Sequence, residues 1–363
     1  MNLIRKLPFY IKIPVGLIAL LLVLTITAFQ VGSPETPINL ERPVGLLEKS
    51  YTDISRDRQL DAYIWYPTST TEGVTVHNEN AVFHGFSAIK NAPINDGLYP
   101  LVIMSHGSGG NRGNQAWLGI ELAREGAIVV AASHPGSMSM DSAPETNILA
   151  WNRPMDVSFL IDSVLADPEL AAVIDPDRIA VVGHSLGGYT AFAIGGGELS
   201  IDQFAAYCAE FSESPACAFY LNGGVDFMQV DRAKFEQNHK DERVSAVIVL
   251  DPAYAKGFKT ESLENRAPTL LIAPPSDANV FEQIHVDELA VQAQLGENYV
   301  EMPGAFHFTY LPECKPIGYY LLRIVEKDGQ MLCQPEVGKT RAEFHSETAD
   351  LVVNFLHAEA ILK

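Results

Sequence analysis

The chain has 363 residues, of which 47% are hydrophobic and 19% charged, a composition that can build a substantial core. It excludes a disordered chain and a collagen-like repeat. The formal net charge of −20 disfavours binding to nucleic acid or to anionic lipid headgroups, so we expect a neutral or cationic small molecule as the partner.

The first thirty residues differ from the rest of the chain. Three basic residues up to Lys12 precede an uncharged, largely apolar run from Ile13 to Phe29. The length of this run lies between the core of a signal peptide and a membrane span, so the sequence predicts that residues 1–30 are either a removed signal peptide or an N-terminal membrane anchor. The basic residues place the start of the segment in the cytoplasm and the body of the protein outside.

Residues 31–43 are rich in proline and are predicted to be a linker, and residues 44–363 are predicted to form one domain in which strands and helices alternate. The predicted strands are 58–67, 101–105, 127–132, 179–182, 244–250, 269–273 and 299–302. The predicted helices are 114–125, 155–166 and 189–194. Nearly continuous apolar strands that alternate with helices predict a mostly parallel central sheet with helices on both faces. Residues 198–243 interrupt this alternation, and we interpret them as a cap-like insertion over the carboxyl edge of the sheet.

One glycine-rich string carries the main chemical signal. Gly183-His184-Ser185-Leu186-Gly187 stands between the apolar strand and a helical run. A serine presented for attack at the end of a strand needs a sharp turn, and that turn leaves no room for side chains two positions before and after it. Ser185 is therefore the predicted nucleophile, and the amide of Leu186 is a predicted donor to a developing oxyanion.

A second string, His106-Gly107-Ser108-Gly109-Gly110, follows the predicted strand 101–105. It lacks the Lys-Ser/Thr pair of a P-loop and has no dinucleotide-binding glycine pattern. A loop with so little side-chain bulk lets the main chain approach a substrate closely. We therefore expect the amide of Ser108 to be the second oxyanion donor.

A nucleophilic serine in this setting requires an acid and then a histidine later in the chain. His307 lies in a loop after the last predicted strand and is the predicted general base. Asp251 follows strand 244–250, and Asp277 stands four residues after strand 269–273, so either could orient the histidine. Spacing alone does not choose between the two acids.

Two residues that follow the predicted strand 127–132, His134 and Trp151, are predicted to line the substrate pocket. The four cysteines form two local pairs. In an oxidising compartment these predict two disulfides, Cys208–Cys217 and Cys314–Cys333. Four buried thiols would be the alternative if the protein is not exported.

From about residue 45 to its end, the chain resembles bacterial α/β-hydrolases described as predicted dienelactone hydrolases. It is more distantly similar to plasma-type platelet-activating-factor acetylhydrolases and plant chlorophyllases. The matching stretches are YIWYPTS, MSHGSGGNR, SHPGS, NRPMDVSFLID, DPDRIAVVGHSLGG, VIVLDPA, GAFHFTYLPEC and CQPEVGKTRAEFH. The resemblance implies the α/β-hydrolase fold. It also places the acid of the acetylhydrolases and chlorophyllases on Asp251, which favours that residue over Asp277.

Two departures limit what the resemblance implies. True dienelactone hydrolases use a cysteine nucleophile where this chain has Ser185, and the 198–243 insertion is far longer than its counterpart in the acetylhydrolases. The resemblance therefore implies the fold and leaves the substrate open.

The predicted function is that of an extracytoplasmic serine hydrolase. Its substrates would be carboxyl esters of small molecules or lipids: short-chain, lipid-derived or polyester-like esters. The enzyme would act through an acyl-enzyme intermediate, without a metal or other cofactor. An amidase or peptidase with the same residues and a non-catalytic binding module on the same scaffold are the alternatives. Contact with a membrane is expected only through residues 1–30, if these are not cleaved.

Overall fold

The computed structural model describes residues 39–276, 286–325 and 329–363. The predicted signal peptide or anchor at residues 1–30 and most of the predicted linker therefore lie outside the described residues. In the part of the chain that is described, no helix is both long enough and apolar enough to cross a membrane.

Strands and helices alternate through most of the described residues. The strands are β1 (Val44–Asp53), β2 (Arg58–Pro67), β3 (Val74–His77), β4 (Phe86–Lys90), β5 (Tyr99–Ser105), β6 (Ile128–Ala132), β7 (Ile174–His184), β8 (Val244–Leu250), β9 (Thr269–Ala273) and β10 (Tyr299–Glu301). The helices are α1 (Ala116–Arg124), α2 (Pro144–Asn147), α3 (Asn152–Ala166), α4 (Leu186–Ile194), α5 (Ile201–Glu210), α6 (Pro215–Asn222), α7 (Arg232–Phe235), α8 (Val286–Gln292), α9 (Gly318–Val325) and α10 (Arg341–Ala358).

The strands form a ten-stranded sheet in the order β10-β9-β8-β7-β5-β6-β2-β1-β4-β3. The block from β10 to β6 is parallel throughout. β2 then pairs antiparallel with both β6 and β1, and β3 pairs antiparallel with β4. The prediction of a mostly parallel sheet is confirmed, although β1, β3 and β4 were not predicted.

Helices cover both faces of the sheet, so the central strands are buried on both sides. In β5, Leu101 and Ile103 join one buried cluster with residues of α3 and α4, whereas Val102 and Met104 join a second cluster with residues of α1 and α10. Successive side chains of a strand point to opposite faces, so a strand between two helical layers must be apolar at every position. This explains the uninterrupted apolar runs in the sequence.

The topology also collects the chemistry at one edge. β5, β7 and β8 are adjacent and parallel, so their carboxyl ends, at Ser105, His184 and Leu250, lie side by side. The segments that carry the two glycine-rich strings and the first candidate acid all begin there. This is the edge at which α/β sheets place ligands.

The 198–243 segment holds three helices, α5, α6 and α7. Ser200 caps the start of α5 by accepting a hydrogen bond from the amide of Gln203, and Pro215 begins α6. Phe204, Tyr207 and Tyr220 on these helices are buried in the same cluster as α4. The segment therefore packs on the domain through its own apolar face, and its helices were not foreseen from the sequence.

Candidate active site

Ser185 occupies the turn between β7 and α4. Its backbone has φ 57° and ψ −117°, a left-handed conformation that side chains other than glycine rarely adopt. The turn is held by hydrogen bonds from the Ser185 amide to Leu250 O (3.0 Å) and from the Ala253 amide to Ser185 O (2.9 Å). A strained turn at this point exposes the hydroxyl at the edge of the sheet.

The glycines on either side are required by close contact. A Cβ on Gly183 would lie 1.8 Å from Gly187 O, and a Cβ on Gly187 would lie 1.8 Å from Ser105 O. Both distances are far below van der Waals contact, so no larger residue fits without moving the backbone. The structure thus gives the steric reason for the G-x-S-x-G pattern.

The His307 imidazole lies within hydrogen-bond distance of the Ser185 hydroxyl. Its Nε2 lies 3.0 Å from Ser185 Oγ, and its side chain is largely buried at the start of a short 3₁₀ turn, His307–Tyr310. His184 Nε2 donates a hydrogen bond to the backbone oxygen of His307 at 2.8 Å. Burial, reinforced by the adjacent His307 imidazole, holds the pKa of His184 well below its usual range, so His184 acts here as a neutral donor.

Asp251 completes the arrangement. Its Oδ2 lies 2.6 Å from His307 Nδ1, and the residue is fully buried directly after β8 with a φ of 40°. The alternative acid, Asp277, lies outside the described residues. Ser185, His307 and Asp251 thus form one continuous chain of hydrogen bonds from a partly exposed hydroxyl to a buried carboxylate.

The two predicted oxyanion donors lie beside Ser185. Leu186 is the first residue of α4, and both Leu186 and Ser108 line the same cavity as Ser185 and His307. The Ser108 hydroxyl donates to Asn147 Oδ1 at 2.7 Å, and the next amide in the loop, that of Gly109, donates to Ser137 O at 2.9 Å. These bonds anchor the loop, and the start of α4 directs its amides and the positive end of its dipole toward the same region.

A cavity of about 790 Å³ opens onto these residues. Much of its wall is aromatic and comes from the 198–243 segment and from the loop after β8. The aromatic lining residues are Phe204, Tyr207, Phe219, Tyr220, Tyr254 and Phe308. None of these six residues was predicted to line the pocket. The one available signal was the spacing of Phe204 and Tyr207 on one helical face.

Most residues that line the cavity carry no charge. Tyr220 and Tyr254 share a hydrogen bond between their hydroxyls, and burial raises the pKa of Tyr220 to about 12, so it stays neutral. Lys256 lines the cavity but forms an ion pair with Glu288. The site therefore suits an apolar group beside a polar reacting centre.

The pocket predictions for His134 and Trp151 are wrong. Neither residue lines the cavity. His134 is fully buried, with Nδ1 2.9 Å from Asp156 Oδ2 and Nε2 3.0 Å from Ser105 Oγ. Trp151, 8% exposed, packs its indole into the buried cluster that covers one face of the sheet. Both residues follow β6 at the correct edge of the sheet. His134, however, bonds Asp156 of α3 in a buried polar network, and Trp151 packs in the core beside α3.

Both predicted disulfides are present. Cys208 and Cys217 join α5 to α6, and Cys314 and Cys333 join two segments that follow His307. Phe204 and Tyr207 precede the first disulfide and Leu332 adjoins the second, and all three line the cavity. The disulfides thus brace the outer wall of the site. Within the described residues no group of three or more histidine, cysteine or acidic side chains could hold a metal ion.

Comparison with known proteins agrees with the fold. A family model described as the alpha/beta hydrolase family matches residues 102–316, more than half of the chain. Cutinase 2 of Thermobifida cellulosilytica is 25% identical over 249 residues, which cover 66% of this chain and 75% of that protein. A cutinase of Thermobifida fusca is 25% identical over the same length, with 66% of this chain and 62% of that protein covered.

Among solved structures, a ferulic acid esterase from Streptomyces cinnamoneus superposes with a TM-score of 0.54 at 19% sequence identity, covering 90% of this chain and 91% of that one. At that identity the likeness supports the fold. The narrower resemblance to predicted dienelactone hydrolases stays a prediction. The matched family model, the sheet order and the turn at Ser185 together lead to one conclusion: the chain belongs to the alpha/beta hydrolase family.

Proposed function

We propose that the protein is an extracytoplasmic serine hydrolase that cleaves carboxylic esters, with Ser185 as nucleophile, His307 as general base and acid, and Asp251 as the acid of the triad. One observation carries the proposal. Ser185 Oγ lies 3.0 Å from His307 Nε2, whose ring also lies 2.6 Å from Asp251 Oδ2, and the hydroxyl borders a cavity of about 790 Å³. Nucleophile, base and orienting acid are within hydrogen-bond reach of one another.

Acylation follows from this geometry. The His307 Nδ1–H donates to Asp251, which leaves Nε2 unprotonated and able to accept the Ser185 proton. Ser185 Oγ then bonds to the ester carbonyl carbon, and the carbonyl electron pair moves to oxygen. The amides of Leu186 and Ser108 stabilise that oxyanion. Collapse of the tetrahedral intermediate breaks the bond to the alcohol, which leaves with the proton from His307.

Deacylation repeats these steps with water. His307 Nε2 takes a proton from a water molecule while the water oxygen attacks the acyl carbon of the acyl-enzyme. The same two amides stabilise the second oxyanion. The intermediate then releases the carboxylic acid, and His307 returns the proton to Ser185 Oγ. Asp251 stabilises the imidazolium in both halves of the reaction without itself becoming protonated.

The substrate class is proposed from the cavity wall. Aromatic side chains and a paired lysine favour esters with an apolar acyl or alcohol group, such as short-chain, lipid-derived or polyester-like esters. The names of the related proteins, cutinases and a ferulic acid esterase, support cleavage of an ester bond. The strongly acidic chain supports a neutral substrate over an anionic one.

An extracytoplasmic location is proposed from the two disulfides, because such bonds persist in oxidising compartments. Residues 1–30 would then be either a removed signal peptide or an anchor in the membrane, with residues 31–43 as linker, residues 44–363 as the catalytic domain and 198–243 as its cap. Mass measurement of the mature protein recovered from its native compartment distinguishes a removed segment from a retained one.

Turnover tests the proposal directly. Wild-type protein should hydrolyse p-nitrophenyl acetate and react with one equivalent of a fluorophosphonate, and Ser185→Ala should do neither. An anilide of the same acid should be cleaved far more slowly; equal cleavage would favour an amidase. Failure of wild type with a series of esters of graded chain length would favour a non-catalytic binding module instead.

A further inference from the structure

Arg153, near the start of α3, is a buried guanidinium that the proposed reaction does not use. The residue is 2% exposed. Its Nε donates to Thr190 Oγ1 at 3.1 Å, and its Nη2 donates to Ser105 Oγ at 3.1 Å and also to the backbone oxygen of His106. Its Nη1 donates to the hydroxyl of Ser137. A planar guanidinium with five fixed N–H donors can hold several segments at once in this way.

The partners of Arg153 belong to the two segments that carry the predicted oxyanion donors. Ser105 and His106 lead directly into Ser108. Thr190 lies on α4 and donates its hydroxyl hydrogen to the backbone oxygen of Leu186 at 2.9 Å. Arg153 therefore joins the loop that contains one donor to the helix turn that contains the other.

A third partner strengthens this connection. Ser137, which accepts a hydrogen bond from Arg153, also accepts the amide of Gly109 on its backbone oxygen at 2.9 Å. The loop 106–110 is thus held at His106 by Arg153 directly and at Gly109 by a residue that Arg153 holds. Ser108 lies between these two points.

In the part of the chain that the structure describes, no carboxylate lies within ion-pair distance of Arg153. None of the ion pairs among the described residues includes it. The nearest acid along α3, Asp156, is fully buried and is already bonded to Arg56 at 2.8 Å, to Arg58 at 2.7 Å and to His134 at 2.9 Å. Burial lowers the pKa of Arg153 from its usual value, which reflects the cost of keeping this charge away from water.

Asp156 favours the charge of Arg153 through space, but the direct hydrogen bonds of the guanidinium go to three hydroxyls and one backbone oxygen. Burying a charge in this way is costly, and apolar residues of similar volume can pack at lower cost. Such a residue is expected where its geometry or field serves the site. Arg153 does not line the cavity, so it cannot touch the substrate.

We propose that Arg153 is a positioning residue that holds the 105–108 loop against the first turn of α4, so that the amides of Ser108 and Leu186 keep the spacing needed to bind an oxyanion. This inference rests on the proposed function. The positive charge of Arg153 lies behind the 105–108 loop and adds a favourable electrostatic field where negative charge develops in the transition state.

The test uses two variants. Arg153→Met removes the charge and the donors, whereas Arg153→Lys keeps the charge but cannot make the forked set of bonds. We expect kcat for p-nitrophenyl acetate to fall about 100-fold in Arg153→Met and at least about tenfold in Arg153→Lys, with KM changed by less than about threefold. Affinity for a boronic acid, which forms a tetrahedral adduct on Ser185, should fall in parallel with kcat.

Arg178→Met provides a matched control. Arg178, like Arg153, joins several segments through its guanidinium, although its partners are the Asp175 carboxylate (2.7 Å) and the backbone oxygens of Ile361 (2.8 Å) and Leu98 (2.9 Å). It lies on β7 well before the Ser185 turn, toward the amino end of that strand. We expect this variant to lower the melting temperature and to leave kcat within about twofold of wild type, because the bonds it loses are remote from the site.

The outcomes separate the two proposals. A folded Arg153→Lys protein with wild-type kcat and wild-type boronic acid affinity would overturn the positioning role alone, as would losses in kcat matched by Arg178→Met. If Arg153→Met does not fold, the lysine variant still decides. Wild-type protein that neither hydrolyses esters nor reacts with a fluorophosphonate would overturn the proposed function and this inference together.

Discussion

Two Ser–His–Asp arrangements lie at the carboxyl edge of the sheet within the described residues, and they differ in what surrounds them. The first is Ser185–His307–Asp251, and the second is Ser105–His134–Asp156. The serine–histidine distance is 3.0 Å in both, and the histidine–aspartate distances are 2.6 Å and 2.9 Å. Residue type and spacing alone therefore do not distinguish a site from a structural network.

Access and backbone conformation make the difference. Ser185 sits on a left-handed turn and borders the cavity, whereas Ser105 is the last residue of β5 and is fully buried. Arg153 donates to Ser105 Oγ, so that hydroxyl is held on both sides. A buried polar network of this kind stabilises a unique arrangement of the surrounding loops, while the open one can receive a substrate.

Exchange of the two serines for alanine should give the largest contrast. We expect Ser185→Ala to lower kcat about 10⁶-fold, because the nucleophile is lost. Ser105→Ala should keep kcat within about tenfold and lower the free energy of unfolding by about 1–3 kcal/mol, because buried donors lose their partner. Hydrolysis of p-nitrophenyl acetate and fluorophosphonate labelling measure the activity of both variants, and denaturant unfolding measures the stability of Ser105→Ala. Labelling that persists in Ser185→Ala would contradict the assignment.

The acids give the next largest effect. Asp251→Asn should leave the fold intact and lower kcat about 10⁴-fold, because the amide would hold His307 in the wrong tautomer. Asp277→Asn is the control, and we expect it to cost much less. A nearly unchanged Asp251→Asn enzyme beside an inactive Asp277→Asn enzyme would reverse the choice of acid without changing the reaction class.

Asp156→Asn should instead act on stability. It removes the buried carboxylate that bonds Arg56, Arg58 and His134, so Arg58 loses its ion pair and Arg56 keeps only the one with Asp53. We expect the free energy of unfolding to fall by about 3–5 kcal/mol and kcat of the folded protein to fall by less than tenfold. Denaturant unfolding with the disulfides intact measures the first quantity. A loss of kcat as large as that of Asp251→Asn would show that the buried arrangement is catalytic.

The buried network should also weaken the fold at acid pH. Burial lowers the pKa of His134 to about 4, from a usual value near 6.5. Between these values the unfolded chain binds the proton and the folded chain does not, so stability falls as the pH falls. For His134 the loss is on the order of 2 kcal/mol at pH 5 relative to pH 7.

Unfolding free energies at pH 7 and pH 5 test this prediction, with His134→Gln as the matched variant. The glutamine variant does not titrate, so its stability should change less between the two pH values, even if it is less stable at pH 7. An equal change in the two proteins would show that His134 does not contribute to the acid sensitivity.

Local sequence signals were sufficient for several features. The strands 58–67, 244–250 and 269–273 were predicted at their observed bounds. The last two are nearly continuous apolar runs, as expected for strands buried on both faces, and 58–67 is rich in β-favouring residues and ends at Pro67. The turn at Ser185 was predicted because Gly183 and Gly187 leave a readable pattern. Both cysteine pairs were predicted because their members are close in the chain.

Other features depend on contacts between distant segments, which no local pattern records. β1 was missed although it pairs with β2 along its whole length. The second half of β1 mixes buried and exposed residues and so gives no continuous apolar run. The 198–243 segment was predicted to cap the sheet, but the aromatic wall that it gives the cavity emerged only from the packing of its helices on α4.

The sequence by itself determined the class of fold, the candidate nucleophile and the candidate base, since each of these is specified by short motifs in a required chain order. Only the tertiary structure decided that Asp251 contacts His307, that His134 and Trp151 lie outside the cavity, and that Arg153 joins the two oxyanion segments. The physical reason is that burial and hydrogen-bond partners are set by how α3, α4 and the loops after β5 and β8 pack together. Residues at the same edge of the sheet can therefore have opposite roles.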